Sequence, residues 1–256
     1  MKKITYLLFN ATLILFLTIS TYAQTMDSAA VKPFNDGLDK MQKSDYKGAV
    51  SDFENALKAD KKDYRIYYQI GVAQEKLGNH EKSIEAYKEA IKSNPQFDAS
   101  YNDLGSIFYS LGKYQDAADN FEKVLEIVKD DSAKIAAVKF NLSVSYNALA
   151  AAAEKSKSYK KAIEYLKKAV SYNNSDIAYL NLARDYFLTN QFDRTIEAAE
   201  SALKYRKSIG EGGPYYYMGV AYSKKNDMKK AKECMLKAKT DPVYAKVAQT
   251  VLDAMK

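Results

Sequence analysis

Cysteine and histidine are almost absent from this sequence. Of its 256 residues, one is cysteine, Cys234, and one is histidine, His80. A single cysteine excludes a disulfide within the chain and a thiolate metal cluster, and a single histidine excludes sites built from two or three imidazoles. We therefore expect no metal and no cofactor. We interpret His80 as a turn-packing residue and Cys234 as a small, partly buried one.

Glycine, proline and net charge are also low. The chain has 10 glycines and 4 prolines against 47% hydrophobic residues, which excludes collagen-like, low-complexity and wholly disordered chains. It has 39 basic and 32 acidic residues, a net charge of +7. This basic bias is mild and spread along the chain, so we expect no nucleic-acid partner. A folded, helix-rich protein of one elongated or two compact domains is expected.

Catalytic motifs are missing as well. The sequence contains no Gly-x-Ser-x-Gly, His-Glu-x-x-His or Cys-x-x-Cys motif, and its carboxylates are dispersed among lysines. We therefore expect no enzymatic activity. The glycine-rich segment Gly210–Pro214 lacks the Gly-Lys-Ser/Thr ending of a phosphate-binding loop and is predicted to be a flexible hinge.

The first 23 residues have the layout of a signal peptide. Lys2 and Lys3 precede a largely apolar stretch, and small residues lead up to Ala23. We expect cleavage after Ala23, a short linker at 24–29, and a periplasmic or secreted mature chain without a membrane span. An uncleaved anchor is the alternative, because residues 4–23 approach the roughly 20 residues that span a bilayer. The leader contains no cysteine, so a lipoprotein anchor is excluded.

The most regular feature of the sequence is a short motif that recurs at a fixed interval. Ala49, Ser83 and Ala117 recur with a period of about 34 residues, which is typical of helical repeats. Helices separated by short breaks are expected to flank each copy. The six copies are Tyr46–Ala49, His80–Ser83, Tyr114–Ala117, Tyr159–Ala162, Phe192–Thr195 and Met228–Ala231.

This pattern resembles the tetratricopeptide repeat. Tyr67, Gly71, Tyr101, Gly105 and Ala117 stand where that family has an aromatic, a glycine or an alanine. Tyrosine replaces the tryptophan often found at the fourth position. The resemblance covers nearly the whole chain after the leader.

The resemblance implies a fold. It is an all-α, right-handed superhelical solenoid of about six helix-turn-helix repeats, closed by a C-terminal capping helix at 244–256. We expect Val247, Val251 and Met255 on the face of that helix that covers the last repeat. The expected repeats are 30–63, 64–97, 98–131, 136–175, 176–209 and 212–245 within an array spanning 30–245.

The resemblance also implies a function and a surface. Members of the family act as non-enzymatic protein–protein interaction modules or scaffolds, and the first helix of each pair lines the inside of the superhelix. Amide side chains there can pair with a peptide backbone, and apolar side chains can bury those of a partner. A glycan or lipid in an aromatic-lined groove is the alternative. The implied groove residues are Phe34, Asn35, Leu38, Tyr68, Gln69, Val72, Glu75, Asn102, Ser106, Tyr109, Phe140, Asn141, Asn147, Asn181, Arg184, Phe187 and Tyr216.

The fourth copy is longer than the others. Between Tyr146 and Tyr159 it contains seven more residues than its siblings, including the alanine-rich run 148–153. Seven residues are close to two helical turns, so we predict a projecting hairpin tip there. Its lysines are either solvated or in contact with an acidic partner or anionic head groups. The sequence predicts neither the partner's identity nor the oligomeric state.

Overall fold

A computed structural model describes residues 25–255, and every regular element in that range is an α-helix. The predicted leader, residues 1–23, lies outside the described residues. The helices are α1 (Ser28–Gln42), α2 (Tyr46–Ala59), α3 (Tyr64–Lys76), α4 (His80–Ser93), α5 (Asp98–Ser110), α6 (Tyr114–Ile127), α7 (Ser132–Lys155), α8 (Tyr159–Tyr172), α9 (Asp176–Leu188), α10 (Phe192–Lys204), α11 (Gly212–Lys224), α12 (Met228–Ala238) and α13 (Ala245–Asp253).

The first twelve of these helices form six hairpins with the same turn. In each hairpin three residues separate the two helices, and the middle one has a positive φ. The N–H of the third turn residue bonds to a carbonyl five residues earlier, as Lys113 does to Phe108 at 2.8 Å, which closes a Schellman turn. The prediction of an all-α repeat solenoid is confirmed. The middle residues are Ser44, Gly78, Gly112, Lys157, Asn190 and Asn226.

The left-handed turn residues permit a stability prediction. Lys157 has φ 56°, a conformation that costs a residue with a Cβ about 1–2 kcal/mol and costs glycine nothing. Lys157→Gly should therefore raise the free energy of unfolding by about 1 kcal/mol. Gly78→Ala is the matched control, because a Cβ there meets no atom within 4 Å and only the backbone would suffer. Urea denaturation should show opposite signs for the two variants, and equal signs would contradict the argument.

Aspartate and serine side chains start many of the helices. The Asp63 side chain accepts a hydrogen bond from the N–H of Arg65 at the start of α3, and Asp131 accepts one from Lys134 at the start of α7. Such caps satisfy amide groups that have no partner inside the helix. The short breaks in the sequence thus carry the residues that begin the next helix.

Large rings lie against glycines where the two helices of a repeat cross. A Cβ on Gly71 would lie 2.5 Å from the Tyr87 ring, and one on Gly105 would lie 2.7 Å from the Phe121 ring. Both rings are at most 2% exposed. The absent side chain lets the helices approach closely while the ring fills the space. The same arrangement occurs in the first hairpin, so several repeats are built on one kind of helix crossing.

The structure places the extra length of the fourth repeat differently from the prediction. The turn between α7 and α8 spans three residues, 156–158, like its siblings, so the projecting hairpin tip is wrong. Instead α7 has 24 residues where α3, α5, α9 and α11 have 13. Since the turn is unchanged, the additional residues, 132–142, extend α7 at its N-terminal end. We call this segment the α7 extension.

The glycine-rich segment before α11 is packed rather than loose. Gly212, Gly213 and Pro214 are buried and form the first turn of α11. A Cβ on Gly212 would meet the Asp241 Cβ at 2.3 Å, and the Gly212 N–H donates to the Asp241 carboxylate at 3.1 Å. The expected hinge is therefore contradicted, because close contact with the segment before α13 explains these glycines.

The last helix covers the end of the array with part of the expected stripe. Ala248 and Leu252 of α13 are buried against Met235 and Ala238 of α12. Val251 and Met255 pack against this cluster as expected, whereas Val247 is 44% exposed. Small and branched side chains of α13 thus complete the terminal core.

Candidate functional site

A cleft of about 670 Å³ opens where α5, α7 and α9 lie side by side. These are first helices of three successive repeats. Its apolar lining comes from Tyr109, Phe140, Val144 and Ile177, and its amide lining comes from Asn147, Asn173, Asn174 and Asn181. We call this feature the cleft.

The apolar side chains of the cleft are unusually open to solvent. Phe140 is 56% exposed, Ile177 49% and Tyr109 37%. A smaller pocket of about 160 Å³ adjoins them, and the buried ring of Phe121 forms part of its wall. Clustered exposed apolar groups beside polar ones are typical of interaction sites.

A loop between repeats forms one wall of the cleft and is held by Asp176. The Asp176 carboxylate accepts backbone N–H bonds from Lys207 at 2.7 Å and from Ile209 at 3.1 Å, and also from Ser208. Burial raises the pKa of this carboxyl, but the N–H donors outweigh that effect and leave the pKa below its usual value. Asp176 therefore remains ionised and holds residues 207–209 beside α9.

A second polar cluster lies where α3, α4 and α5 meet. The Tyr68 hydroxyl donates to Asp103 at 3.0 Å, and the Tyr87 hydroxyl donates to Glu75 at 3.0 Å. Burial, reinforced by the Asp103 charge, raises the pKa of both tyrosines, and burial also raises the pKa of Asp103. The hydroxyls therefore stay protonated and act as donors. This cluster joins adjacent repeats.

Arg184 lies between two carboxylates. Its guanidinium bonds to Glu154 of α7 and to Asp185 at 3.1 Å. Asp185 is fully buried, and one of its carboxylate oxygens, Oδ2, has no hydrogen-bond partner. Because both charges beside Arg184 depend on it, truncation of this residue would disturb the packing of α7 and α9. Arg184 is thus engaged within the chain rather than open to a partner.

The buried Asp185 predicts an unusual pH dependence. Burial, reinforced by the Glu154 charge and opposed by Arg184, raises the pKa of Asp185 to about 6. A carboxyl whose pKa is raised on folding stabilises the fold below its unfolded pKa of about 4, and this contribution is lost as the pH rises to 6. The free energy of unfolding of Asp185→Asn, relative to that of wild type, should therefore be highest near pH 7 and fall toward pH 5. Denaturant titrations at several pH values measure this difference.

Wild type and Asp185→Asn are compared at each pH, so that effects of pH common to both chains cancel. A flat difference for Asp185→Asn would contradict the raised pKa.

All seventeen groove residues implied by the sequence are partly or largely exposed. Tyr109, Phe140, Asn147 and Asn181 meet in the cleft. Ser106 and Asn141 line the smaller pocket together with Tyr109 and Phe140. The remaining residues lie outside these two cavities, and several of them pack against the core. They are Phe34, Asn35, Leu38, Tyr68, Gln69, Val72, Glu75, Asn102, Arg184, Phe187 and Tyr216.

Several lining residues were not identified from the sequence. Asn173, Asn174 and Lys207 lie in the connections between repeats, and Ile177 lies in the first turn of α9. Repeat positions describe the first helices but not these connections. The sequence did offer one signal for them, the two adjacent amides Asn173 and Asn174 just before the start of a helix.

The fold and the site define a helical-repeat protein with an open groove along its first helices. Family models for the tetratricopeptide repeat match residues 64–97, 99–129, 144–176 and 214–240. The chain is therefore a tetratricopeptide-repeat protein. The match at 144–176 agrees with a repeat that begins after the α7 extension.

Individual relatives cover different parts of the chain. A TPR repeat-containing protein of Methanocaldococcus jannaschii is 26% identical in an alignment of 206 residues that covers 70% of this chain and 34% of the relative. Neutrophil cytosol factor 2 of Bos taurus is 28% identical over 148 residues, 56% of this chain and 27% of the relative. The chain thus spans about a third or less of these curated relatives.

A solved structure shares the fold over most of the chain. The C-terminal part of a TPR repeat-containing protein from Cytophaga hutchinsonii is 20% identical, with a TM-score of 0.53, and the match covers 89% of this chain and 88% of that one. At this identity the likeness concerns the fold.

Membrane spans and metal clusters are absent from residues 25–255. None of the helices in this range has the length and apolar character to cross a bilayer. Nor does the range contain a group of three or more His, Cys, Asp or Glu side chains arranged to hold a metal ion.

Proposed function

We propose that this chain is an exported, non-enzymatic interaction module or assembly scaffold of the cell envelope, which binds a segment of a protein partner along its first helices. The cleft carries the proposal. It combines exposed apolar side chains with amides on a surface built from three repeats. Tetratricopeptide-repeat proteins are in general protein–protein interaction modules, and a preformed groove keeps the ordering cost of binding low.

Site-specific photocrosslinking tests the location of binding. A photoreactive residue at Tyr109 should form an adduct with a protein partner in cells. The matched position is Leu236, which is 52% exposed on α12, outside the cleft. Adducts at Leu236 and none at Tyr109 would show that the partner does not bind in the groove.

Export is proposed from residues 1–23, whose basic start, apolar stretch and Ala23 fit a signal peptide. Fractionation and mass measurement of the purified chain test it. An N-terminus at Gln24 in an envelope or secreted fraction is the expected result. A full-length chain in the soluble cell interior would contradict export.

A membrane-tethered structural subunit is the second candidate. The length of residues 4–23 favours it, because it approaches that of a bilayer span. In that case the chain should start near Met1 and sediment with membranes. The same mass measurement therefore separates the two candidates.

A further inference from the structure

We infer that the cleft binds an extended peptide segment in which a bulky apolar side chain lies close to an acidic one. This rests on the proposed function and specifies its partner. Three features of the cleft carry the inference: its apolar surface, its unpaired amide and its charge.

The apolar surface calls for a large side chain. Phe140, Ile177 and Tyr109 expose apolar groups around one opening, and the adjoining pocket of about 160 Å³ is bounded by Tyr109 and Phe140. Burying these groups under a ligand's aliphatic or aromatic side chain removes apolar area from water, which favours binding. The cleft as a whole, about 670 Å³, has room for neighbouring residues of the ligand.

The amides of the cleft favour a ligand with a peptide backbone. Asn147 lines the cleft, yet its side-chain oxygen is buried and accepts no hydrogen bond. A buried acceptor without a donor is costly, so rotation of this amide toward a ligand N–H would be favourable. Asn181 adds a second amide on the facing helix. An extended peptide offers N–H and C=O groups at regular intervals, whereas a lipid chain would leave both amides unpaired.

The charge of the cleft favours a ligand with an acidic side chain. Asp176 and Lys207 are the charged residues of its lining, and the Asp176 carboxylate is already occupied by three backbone N–H groups. Lys139, which precedes Phe140 in the chain, is exposed, and the α7 extension contains no acidic residue. An acidic side chain near Lys207 is therefore attracted, and a basic one is repelled.

The cleft is specific to this part of the array. Phe140 belongs to the α7 extension, which has no counterpart in α5 or α9. Without that segment the opening would lack its most exposed apolar wall. The binding preference thus comes from a departure from the repeat rather than from the repeat itself.

A displayed library of random peptides provides the probe. Peptides of about 12 residues span roughly 40 Å when extended, which is enough to cross the cleft. They would be selected on the purified protein expressed from its full sequence. We expect enrichment of peptides that pair a bulky apolar residue with Asp or Glu. Phe140→Ala should weaken selected peptides about tenfold or more. Leu236→Ala, which removes a similarly exposed side chain outside the cleft, should leave their affinity unchanged.

Charge reversal tests the acidic preference directly. Lys207→Glu should weaken the acidic peptides and strengthen the same peptides with Asp or Glu replaced by Lys. The Lys207 side chain is exposed and its N–H bond to Asp176 comes from the backbone, so the variant should keep its fold, which circular dichroism checks.

The outcomes separate this inference from the proposed function. If alanine substitutions of Gln69 and Asn102 weaken the selected peptides and Phe140→Ala does not, the peptides bind elsewhere in the groove. The proposed function then stands, and the inference about the cleft is wrong. Enrichment of basic peptides would also overturn it. If no peptide is selected, or if binding ignores all of these substitutions, both the inference and peptide binding in the groove are rejected.

Discussion

Phe121→Ala is expected to lower the free energy of unfolding by about 3–5 kcal/mol. The ring is 2% exposed and lies against the backbone of Gly105, where even a methyl group would come within 2.7 Å of it. Helix packing around a glycine leaves little freedom to close the resulting cavity, so most of the lost contact energy remains lost. Chemical denaturation monitored by circular dichroism measures the loss.

The glycine opposite the ring makes this prediction sharper. Gly105→Ala alone should destabilise the protein by about 1–3 kcal/mol, because the methyl group pushes on the Phe121 ring. In the Phe121→Ala background the same change should stabilise, since alanine fills part of the cavity and favours helix by about 1 kcal/mol over glycine. The sign of the Gly105→Ala effect should therefore reverse.

Tyr109→Ala supplies the control within the same repeat. Tyr109 is 37% exposed and its ring contacts that of Tyr114, so its truncation should lower stability clearly less than that of the buried Phe121. A loss at Tyr109 as large as that at Phe121, or a Gly105→Ala effect independent of the ring, would refute this account of the helix crossing.

Asp176→Ala should cost about 2–4 kcal/mol and detach the wall of the cleft. The substitution leaves the N–H groups of Lys207, Ser208 and Ile209 without their shared acceptor. Proteolysis should then cut near these residues faster than in wild type, and hydrogen exchange of their amides should accelerate. Unchanged exchange there would contradict the role assigned to Asp176.

The pH dependence of stability separates the effect of the Asp176 charge from the effect of the size of its side chain. Backbone N–H donors hold its folded pKa below the usual value despite burial, so its stabilising effect is present above an unfolded pKa of about 4 and is lost as pH falls through the folded pKa. Asp176→Asn keeps the size but not the charge. It should therefore be less stable than wild type at pH 7, with the difference shrinking in acid. A difference that stays constant as the pH falls would contradict this role of the charge.

The repeat order could be predicted from the sequence because its signals are local. Gly71 and Gly105 each precede the ring that they face by the same interval, and four of the six hairpin turns have a glycine or asparagine at the position of positive φ. These features decide how two adjacent helices pair, and adjacent pairing is enough to specify a solenoid. No long-range contact has to be inferred.

The register of the fourth repeat could not be predicted in the same way. Tyr146 suits the fourth position of the repeat as well as the eleventh, since tyrosine occurs at both. The structure places it as far before Tyr159, the start of α8, as Tyr101 stands before Tyr114, the start of α6. The alanine-rich run 148–153 contains no helix-breaking residue, so composition did not decide where the additional turns lie.

The cleft was predicted only in part, for a related reason. Tyr109, Phe140, Asn147 and Asn181 are on first helices, where the repeat pattern predicts the direction of side chains. Lys207 and Asn174 reach the cleft through connections whose path depends on Asp176 and on the packed glycines before α11. Such paths result from tertiary contacts that no spacing in the sequence encodes.

The length of α7 also bears on how the molecule unfolds. At 1.5 Å per residue, its 24 residues form a rod of roughly 36 Å that packs along both α6 and α8. The contact between α6 and α7 is the most extensive one between successive repeats, so we expect repeats three and four to open together. The smallest cooperative unit in the middle of the protein is thus a pair of repeats, and unfolding should begin at the two ends and reach this pair last.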